Sequence, residues 1–185
     1  LQYPSAVVVD SKDNVYIADA SHYRIRKVDT NGIISTVLGN GSARYSGDNG
    51  LAINAETHKV NSMEVDSEDN IYFSASATVR KINTFTGIVE KVVGTGSFGY
   101  SGDGGYAKLA KIHSIYDIEF DEFDNMYIAD SGIHRVRKIN TNGIISTVAG
   151  NGSGSFNTTE DVSSTQVAIE QPKSLGINKD GNLLV

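Results

Sequence analysis

Short apolar runs separated by turn-forming residues make up most of the chain. Near its start the runs cover residues 6–9, 15–18, 24–28 and 33–38, and they are rich in Val, Ile and Tyr. Gly, Asn, Asp and Ser border them, which is typical of β-strands. Gly32, Gly87 and Gly143 each end a matching connection, where a hairpin turn favours positive φ. Helical spacing with caps is absent, so the pattern predicts antiparallel strands.

The whole pattern repeats every 55 to 57 residues, as measured between the shared asparagines Asn14, Asn70, Asn125 and Asn182. Four antiparallel strands per unit at this period are typical of a β-propeller blade. We therefore expect an all-β fold. The predicted repeats span residues 1–56, 57–111, 112–168 and, incompletely, 169–185.

Four motifs recur in these units: Asp-Asn-x-Tyr-Ile-Ala-Asp at 13–19 and 124–130, Arg-x-Arg-Lys at 24–27 and 135–138, Gly-Ile-Ile-Ser-Thr-Val at 32–37 and 143–148, and Tyr-Ser-Gly-Asp at 45–48 and 100–103. On these residues the chain resembles NHL repeats in the long-loop form. The second repeat, residues 57–111, departs most, with Ala75 in place of the last Asp and Thr78 in place of the first Arg.

The resemblance implies a six-bladed ring, of which the chain would hold about three and a half blades. Three and a half blades cannot close a ring alone, since propellers need roughly four to eight. The remaining blades are expected from the same longer chain or from a second copy, and open ends are a third alternative. The longer chain is favoured because an unpaired blade face promotes aggregation.

Composition excludes several classes of function. The 185 residues contain no cysteine, which excludes disulfides, Cys-ligated zinc and thiol catalysis. The formal charge of −6 argues against strong nonspecific binding of nucleic acid. The longest aliphatic run covers residues 6–9, far short of the roughly 20 apolar residues of a membrane-spanning helix. We expect no membrane insertion.

The innermost strand of each unit is expected to line the central channel, with polar side chains at its rim. The candidate ligand-binding residues there are His58, Glu64, His113, Asp117, Glu119 and Glu170. His58 and His113 occupy the same position of adjacent units, so they are the candidate ligands of a divalent metal such as zinc. A polar, water-filled channel mouth is the favoured alternative, since no known zinc-ligand spacing is present. The interleaved positions 7, 63, 118 and 175 are expected to form a packed apolar face.

Other features allow a functional and a structural interpretation. Asp48 and Asp103, between glycines, could bind calcium, but an EF-hand pattern is missing and a turn is favoured. The pairs at 26–27, 80–81 and 137–138 form a basic row that could bind RNA, or could pair with neighbouring aspartates. Sequons at Asn40, Asn151 and Asn157 are compatible with secretion.

The function predicted from these observations is a binding scaffold for a protein, peptide or glycan ligand. A metal-dependent lyase or hydrolase at the central channel is the first alternative. An RNA-binding module and a purely structural spacer are further alternatives. The expected location is extracellular or periplasmic. No catalytic residue is assigned.

Overall fold

The computed structural model describes residues 1–155 and 161–185, so the sequon at Asn157 lies outside the described residues. Two compact units divide the chain, Leu1–Lys91 and Val92–Val185. The strands that begin in the first unit are β1 (Pro4–Val9), β2 (Val15–Asp19), β3 (Arg24–Val28), β4 (Ile34–Leu38), β5 (Gly50–Leu51), β6 (Val60–Val65), β7 (Ile71–Ala75), β8 (Thr78–Ile82) and β9 (Ile88–Val93). Those of the second unit are β10 (Ile115–Phe120), β11 (Met126–Asp130), β12 (Arg135–Ile139), β13 (Ile145–Ala149), β14 (Gly176–Ile177) and β15 (Leu183–Leu184).

The sheets are antiparallel and follow the order of the chain. In the first unit, β1 to β4 form one sheet and β6 to β9 a second, whose outer edge is extended by β5. In the second unit, β10 to β13 form one sheet and β14 pairs with β15. The described residues contain no α-helix, only three-residue 3-10 turns such as Ala20–His22 and Ser131–Ile133. The predicted all-β fold of four-stranded antiparallel blades is confirmed.

The turn between the first two strands of each blade is stabilised by its own aspartate. Asp10 Oδ1 accepts hydrogen bonds from the backbone N–H groups of Lys12 and Asn14, at 3.0 and 2.8 Å. Asp66 and Asp121 accept equivalent bonds in their turns. A short side chain thus satisfies donors that the strand ladder leaves unpaired.

The outer hairpins turn at glycines, as the sequence pattern predicts. Gly32, Gly87 and Gly143 have φ values of 78°, 71° and 76°, a region that side chains with a Cβ rarely adopt. The middle hairpin of the second blade is shorter than that of the first. Residues 76 and 77 join β7 to β8, whereas a 3-10 turn and the left-handed Tyr23 join β2 to β3.

The core of the first unit lies between its two sheets. Strand β1 packs beside β6, and Ile25, Leu38, Met63, Ile71 and Phe73 are buried together. Removing each such side chain from water contributes roughly 1.5–3 kcal/mol. Packing of one blade on the next therefore stabilises the unit.

The predicted apolar face of the inner strands is confirmed at Met63, Ile118 and Leu175, which are buried. It is wrong at Val7, which is 62% exposed. In β1 the residues that pack against the core are Ala6 and Val8, which lie on the opposite face of the strand from Val7. The reason is that side chains of a strand alternate between the two faces of its sheet, and here the covered face of β1 is the one that carries Ala6 and Val8.

Candidate functional site

Two long glycine-rich loops, residues 39–56 and 94–111, precede the inner strands β6 and β10. Each folds back on itself through backbone hydrogen bonds, such as Gly39 N–H to Ala52 O at 3.0 Å and Gly94 N–H to Ala107 O at 2.9 Å. In the first loop Gly47 has a φ of 85°, and a Cβ there would lie 2.8 Å from the Cα of Ala55. The close approach of the backbone to itself therefore requires glycine at this position.

The first loop is fixed by the fully buried side chain of Arg80 on β8. Arg80 Nε donates to Asp48 Oδ1 at 2.9 Å, and the terminal nitrogens donate to Glu56 O and Ser46 O, each at 2.9 Å. The guanidinium also lies 4.7 Å from the ring centroid of Tyr45. One cation thus connects the middle of the loop to its C-terminal end.

The second loop uses the equivalent Arg137 on β12, also fully buried. Its Nη2 donates to Asp103 Oδ1 and to Ser101 O. Asp103 Oδ2 accepts further bonds from Thr147 Oγ1 at 2.7 Å and Tyr100 Oη at 2.9 Å. Burial acts to raise the pKa of Asp103, but these hydrogen bonds and Arg137 outweigh it and lower that pKa. Asp48 and Asp103 are therefore ion-pair partners within their loops, in line with the favoured structural interpretation.

The predicted basic row is largely occupied by contacts of this kind. Arg80 and Arg137 are buried, while Lys81 lies 3.3 Å from Asp66 and Lys138 lies 3.6 Å from Asp121. These cations pair with the aspartates of their own unit, which was the alternative to RNA binding. A buried guanidinium has no access to a phosphate.

The candidate histidines lie at the loop end of their blades. His58 and His113 are half-buried and stand two residues before β6 and β10. The side chain of His113 packs against Phe98 of the second loop, with ring centroids 4.8 Å apart and planes tilted by 41°. Its Nδ1 lies 2.8 Å from Ser114 Oγ. Phe98 remains 58% exposed, so the pair forms a surface feature.

The backbone beneath His113 is held by a buried carboxyl. Asp130 accepts the His113 backbone N–H at 3.0 Å. Burial raises the pKa of Asp130 to about 6, against the lowering effects of that N–H and of Arg137. On the other side, a Cβ on Gly132 would lie 2.1 Å from His113 Nδ1. Glycine at 132 therefore leaves the space that the imidazole occupies.

The candidate carboxylates lie elsewhere on the inner strands. Glu64 and Glu119 are the second-last residues of β6 and β10. Six residues of extended chain separate each of them from the histidine of its blade, which corresponds to roughly 20 Å. Within a blade, the histidine and the glutamate are thus at opposite ends of the strand. Glu119 lines a cavity of about 380 Å³ with Phe123 and Lys179.

Asp117 joins two inner strands of the second unit. Its Oδ2 accepts the backbone N–H of Leu175 at 2.8 Å, so this carboxylate contributes to packing. Glu170 is exposed in the segment before β14. Among residues 1–155 and 161–185, no three His, Asp or Glu side chains group so as to hold a metal ion.

Phe98 is the functional candidate that the sequence reasoning missed. The signal was present in the alignment of the two loops, where Ala43 stands at the position of Phe98. A large aromatic residue in the stretch 96–102, whose other residues are Gly, Ser and Tyr, marks a contact surface. The roles of Arg80 and Arg137 as loop anchors could not be read from a motif, since their aspartate partners are more than 30 residues away.

Comparison with known proteins finds one match to a repeat family and a set of similar folds. The sequence model of the NHL repeat matches residues 1–28. No curated protein matches the chain. No helix in the described parts of the chain is long and apolar enough to cross a membrane.

Several solved structures are similar in fold. An auxiliary nutrient binding protein from Bacteroides thetaiotaomicron has a TM-score of 0.73 at 14% identity, over 97% of this chain and 44% of that one. One from Bacteroides ovatus has a TM-score of 0.70 at 16% identity, over 96% and 43%. A virginiamycin B lyase from Staphylococcus aureus has a TM-score of 0.51 at 12% identity, over 97% and 61%. The chain therefore spans less than half the length of the two nutrient binding proteins.

Proposed function

Because the chain carries an NHL repeat and folds as blades of a β-propeller, we propose that it is a binding scaffold whose glycine-rich loops contact a protein, peptide or glycan ligand. The observation that supports this proposal most directly is the second loop, which Arg137 anchors through Asp103. In this loop the exposed ring of Phe98 packs against His113. Binding residues are commonly placed on loops that a rigid scaffold positions.

The anchoring of the loops supports binding. Arg80 and Arg137 hold each loop in one conformation before any ligand arrives. A loop that is ordered beforehand loses little conformational entropy on association, which improves affinity. A buried ion pair often contributes no more to the free energy of unfolding than well-packed hydrophobic side chains of similar volume would. Stability alone therefore does not account for these two pairs.

The chemistry of the exposed surface also fits recognition. Phe98 and Tyr106 are 58% and 64% exposed in the second loop. Aromatic side chains supply large contact areas with few rotatable bonds, and they are enriched where proteins bind ligands. The imidazole of His113 adds a polar group beside the ring of Phe98.

The proposal extends to an extracellular or periplasmic location, with the remaining blades supplied by the same longer chain or by a second copy. Two similar folds belong to auxiliary nutrient binding proteins of Bacteroides species. The described sequons at Asn40 and Asn151 lie in exposed loop segments, where glycosylation of a secreted protein could occur.

Binding by the protein to an array of soluble glycans and to a display library of peptides tests this function. We expect Phe98→Ala to weaken binding to the selected probe by about 30-fold, which corresponds to the roughly 2 kcal/mol of a central contact. His113→Ala is expected to weaken it in the same direction.

The matched control is Phe123→Ala, which removes an exposed ring of the same unit at the β10–β11 turn. This variant should bind as the wild type does. Equal binding by wild type and Phe98→Ala, or a larger loss in Phe123→Ala, would contradict a site at the loop end.

A further inference from the structure

The first unit contains an apolar cavity that involves neither Phe98 nor His113, although the first glycine-rich loop contributes two of its walls. It has a volume of about 210 Å³ and lies between the β1–β4 sheet and the β6–β9 sheet. Its apolar walls are Val37, Leu51, Ile53, Ile71 and Ile82. Leu51 and Ile53 are about half exposed at its edge, so the cavity is open to solvent. It is smaller than the roughly 300–1,000 Å³ pockets that hold drug-sized ligands.

One cation lies at this cavity. Lys27 on β3 is part of the lining, and its Nζ is 5.5 Å from the ring centroid of Tyr16, which also lines the cavity. The same lysine–tyrosine contact occurs in the other blades, with Lys81 over Tyr72 at 5.3 Å and Lys138 over Tyr127 at 5.0 Å.

The three lysines differ in their carboxylate partners. Lys81 and Lys138 lie within 4 Å of Asp66 and Asp121, respectively. Across the described ranges, 1–155 and 161–185, no carboxylate oxygen lies within that distance of Lys27 Nζ. A positive charge beside an apolar cavity is therefore left without an anion.

The aspartate equivalent to Asp66 in this blade is Asp10, which accepts hydrogen bonds within its own turn, as Asp66 and Asp121 do in theirs. Asp10 Oδ1 accepts the backbone N–H groups of Lys12 and Asn14, and Oδ2 accepts Asn14 Nδ2 at 2.7 Å and Tyr16 Oη at 3.1 Å. Because no carboxylate oxygen of residues 1–155 and 161–185 lies within 4 Å of Lys27 Nζ, an anion from outside the chain can approach Lys27 without displacing an internal partner.

From this combination we propose that the cavity binds a small amphipathic carboxylate, with its hydrocarbon part between the two sheets and its carboxylate on Lys27. Apolar walls favour a hydrocarbon chain or a single ring, because burying such a group removes apolar surface from water. A charge-assisted hydrogen bond to the ammonium group then fixes the head group. A sugar would leave its hydroxyls against Val37, Ile71 and Ile82, so it fits this cavity poorly.

The test uses octanoate and 1-octanol as probes of equal chain length, measured by titration calorimetry and by NMR of the isoleucine methyl groups. We expect octanoate to bind about ten-fold more tightly than octanol, and to shift the methyl signals of Ile53, Ile71 and Ile82. Lys27→Met is expected to weaken octanoate binding about ten-fold and leave octanol binding unchanged, whereas Lys27→Arg should retain the preference for the anion.

Two controls test whether binding depends on the charge of Lys27 and on this cavity. Lys81→Met removes an equivalent lysine that already has a carboxylate partner, and it should leave octanoate binding unchanged. Phe98→Ala should also leave it unchanged, so that failure of the loop-end site and failure of the cavity are separable. Val37→Phe narrows the cavity from one wall and should weaken both probes.

Three outcomes would overturn the proposal. These are equal affinity of the wild type for octanoate and octanol, wild-type affinity of Lys27→Met for octanoate, and methyl shifts confined to isoleucines outside the cavity, such as Ile25.

Discussion

The two glycine-rich loops share a backbone and a buried arginine but differ in how completely that arginine is hydrogen-bonded. Arg80 donates from Nε and from both terminal nitrogens. In the second unit, Arg137 Nε and Nη1 are buried without a partner among the described residues. Leaving a buried donor unpaired costs roughly 1–3 kcal/mol. The same motif thus stabilises the first loop more than the second.

The aspartate that ends the second strand of the first blade shows a second difference. Asp19 accepts the Gln2 backbone N–H at 2.8 Å and lies 2.9 Å from His22 Nδ1. Burial acts to raise the pKa of Asp19, but these bonds and the charge of His22 outweigh it, so the pKa is lowered. This carboxylate is well accommodated in its ionised form.

Its counterpart in the second unit is Asp130, where Ile133 stands in place of the histidine. Burial raises the pKa of Asp130 to about 6. The same sequence motif therefore holds an aspartate whose ionised form is favoured in the first unit and one whose ionised form is disfavoured in the second. The repeat determines the backbone, while residues outside the motif determine the electrostatics.

We expect the largest change in the free energy of unfolding on replacing the two buried arginines, and we expect the two changes to differ. Arg80→Met should lower the free energy of unfolding by about 3 kcal/mol, since it removes a buried cation that donates to Asp48 Oδ1 and to two backbone carbonyl groups. Arg137→Met should cost about 1 kcal/mol less, because Arg137 brings two unpaired nitrogens with it. Urea unfolding of the full chain measures both. Lys81→Met, which removes the ion pair of a lysine whose side chain is 19% exposed, serves as the control and should cost less than either arginine variant. Equal losses for the two arginines would remove the difference between the loops.

The next prediction concerns how the contributions of Asp130 and Asp19 to the free energy of unfolding depend on pH. The folded-state pKa of Asp130 is about 6, above the unfolded value near 3.8, so the folded state binds the proton more tightly. Its contribution to stability therefore falls as pH rises from about 4 to 6. The free energy of unfolding of Asp130→Asn should therefore rise by about 2–3 kcal/mol relative to that of the wild type between pH 4 and pH 7, at 1.36 kcal/mol per pKa unit.

Asp19→Asn should show the opposite sign. The pKa of Asp19 is lowered on folding, so its contribution is present above pH 4 and is lost as pH falls through the folded-state pKa. Relative to wild type, this variant should therefore be less stable at pH 7 than at pH 3. Thermal unfolding across that range compares the two variants, and slopes of the same sign would contradict the assignment.

The smallest expected effect concerns the space beside His113. Gly132→Ala should destabilise the protein by about 1–2 kcal/mol, because the new Cβ occupies the position of the imidazole. Combining it with His113→Ala should remove most of that cost. A double-mutant cycle measures this coupling. An additive result would show that Gly132 is not required by His113. In the first unit Ser21 stands at the equivalent position, and Ser21→Ala should be close to neutral.

The strand pattern and the repeat could be predicted from sequence because both depend on local chemistry. Alternating Val, Ile and Tyr between Asp-Asn and Asn-Gly turns has few solutions other than antiparallel hairpins. Copies such as 13–19 and 124–130 then predict the same blade again. The turn roles of Asp10 and Gly32 follow from neighbours within four residues, so they too were accessible.

The candidate site was predicted only in part. His113 was found from its position in the repeat, but its contact with Phe98 depends on how a loop of 18 residues folds back on the strand that follows it. The sequence placed Glu119 and His113 together at the channel rim, because it does not show that they lie at opposite ends of β10. Val7 was expected on the packed face and is instead exposed, while Ala6 and Val8 pack against the core, since alternation predicts two faces but not which of them is covered.

The strands, the turns, the period and the residues available for chemistry follow from the sequence alone, because they depend on neighbours close along the chain. Which charges are compensated depends instead on the folded arrangement. Arg80 meets Asp48 across 32 residues, Asp130 lacks the histidine that Asp19 has, and Lys27 faces an apolar cavity without an anion. Electrostatic energies depend on distance in space and on burial, and neither can be obtained from separation along the chain.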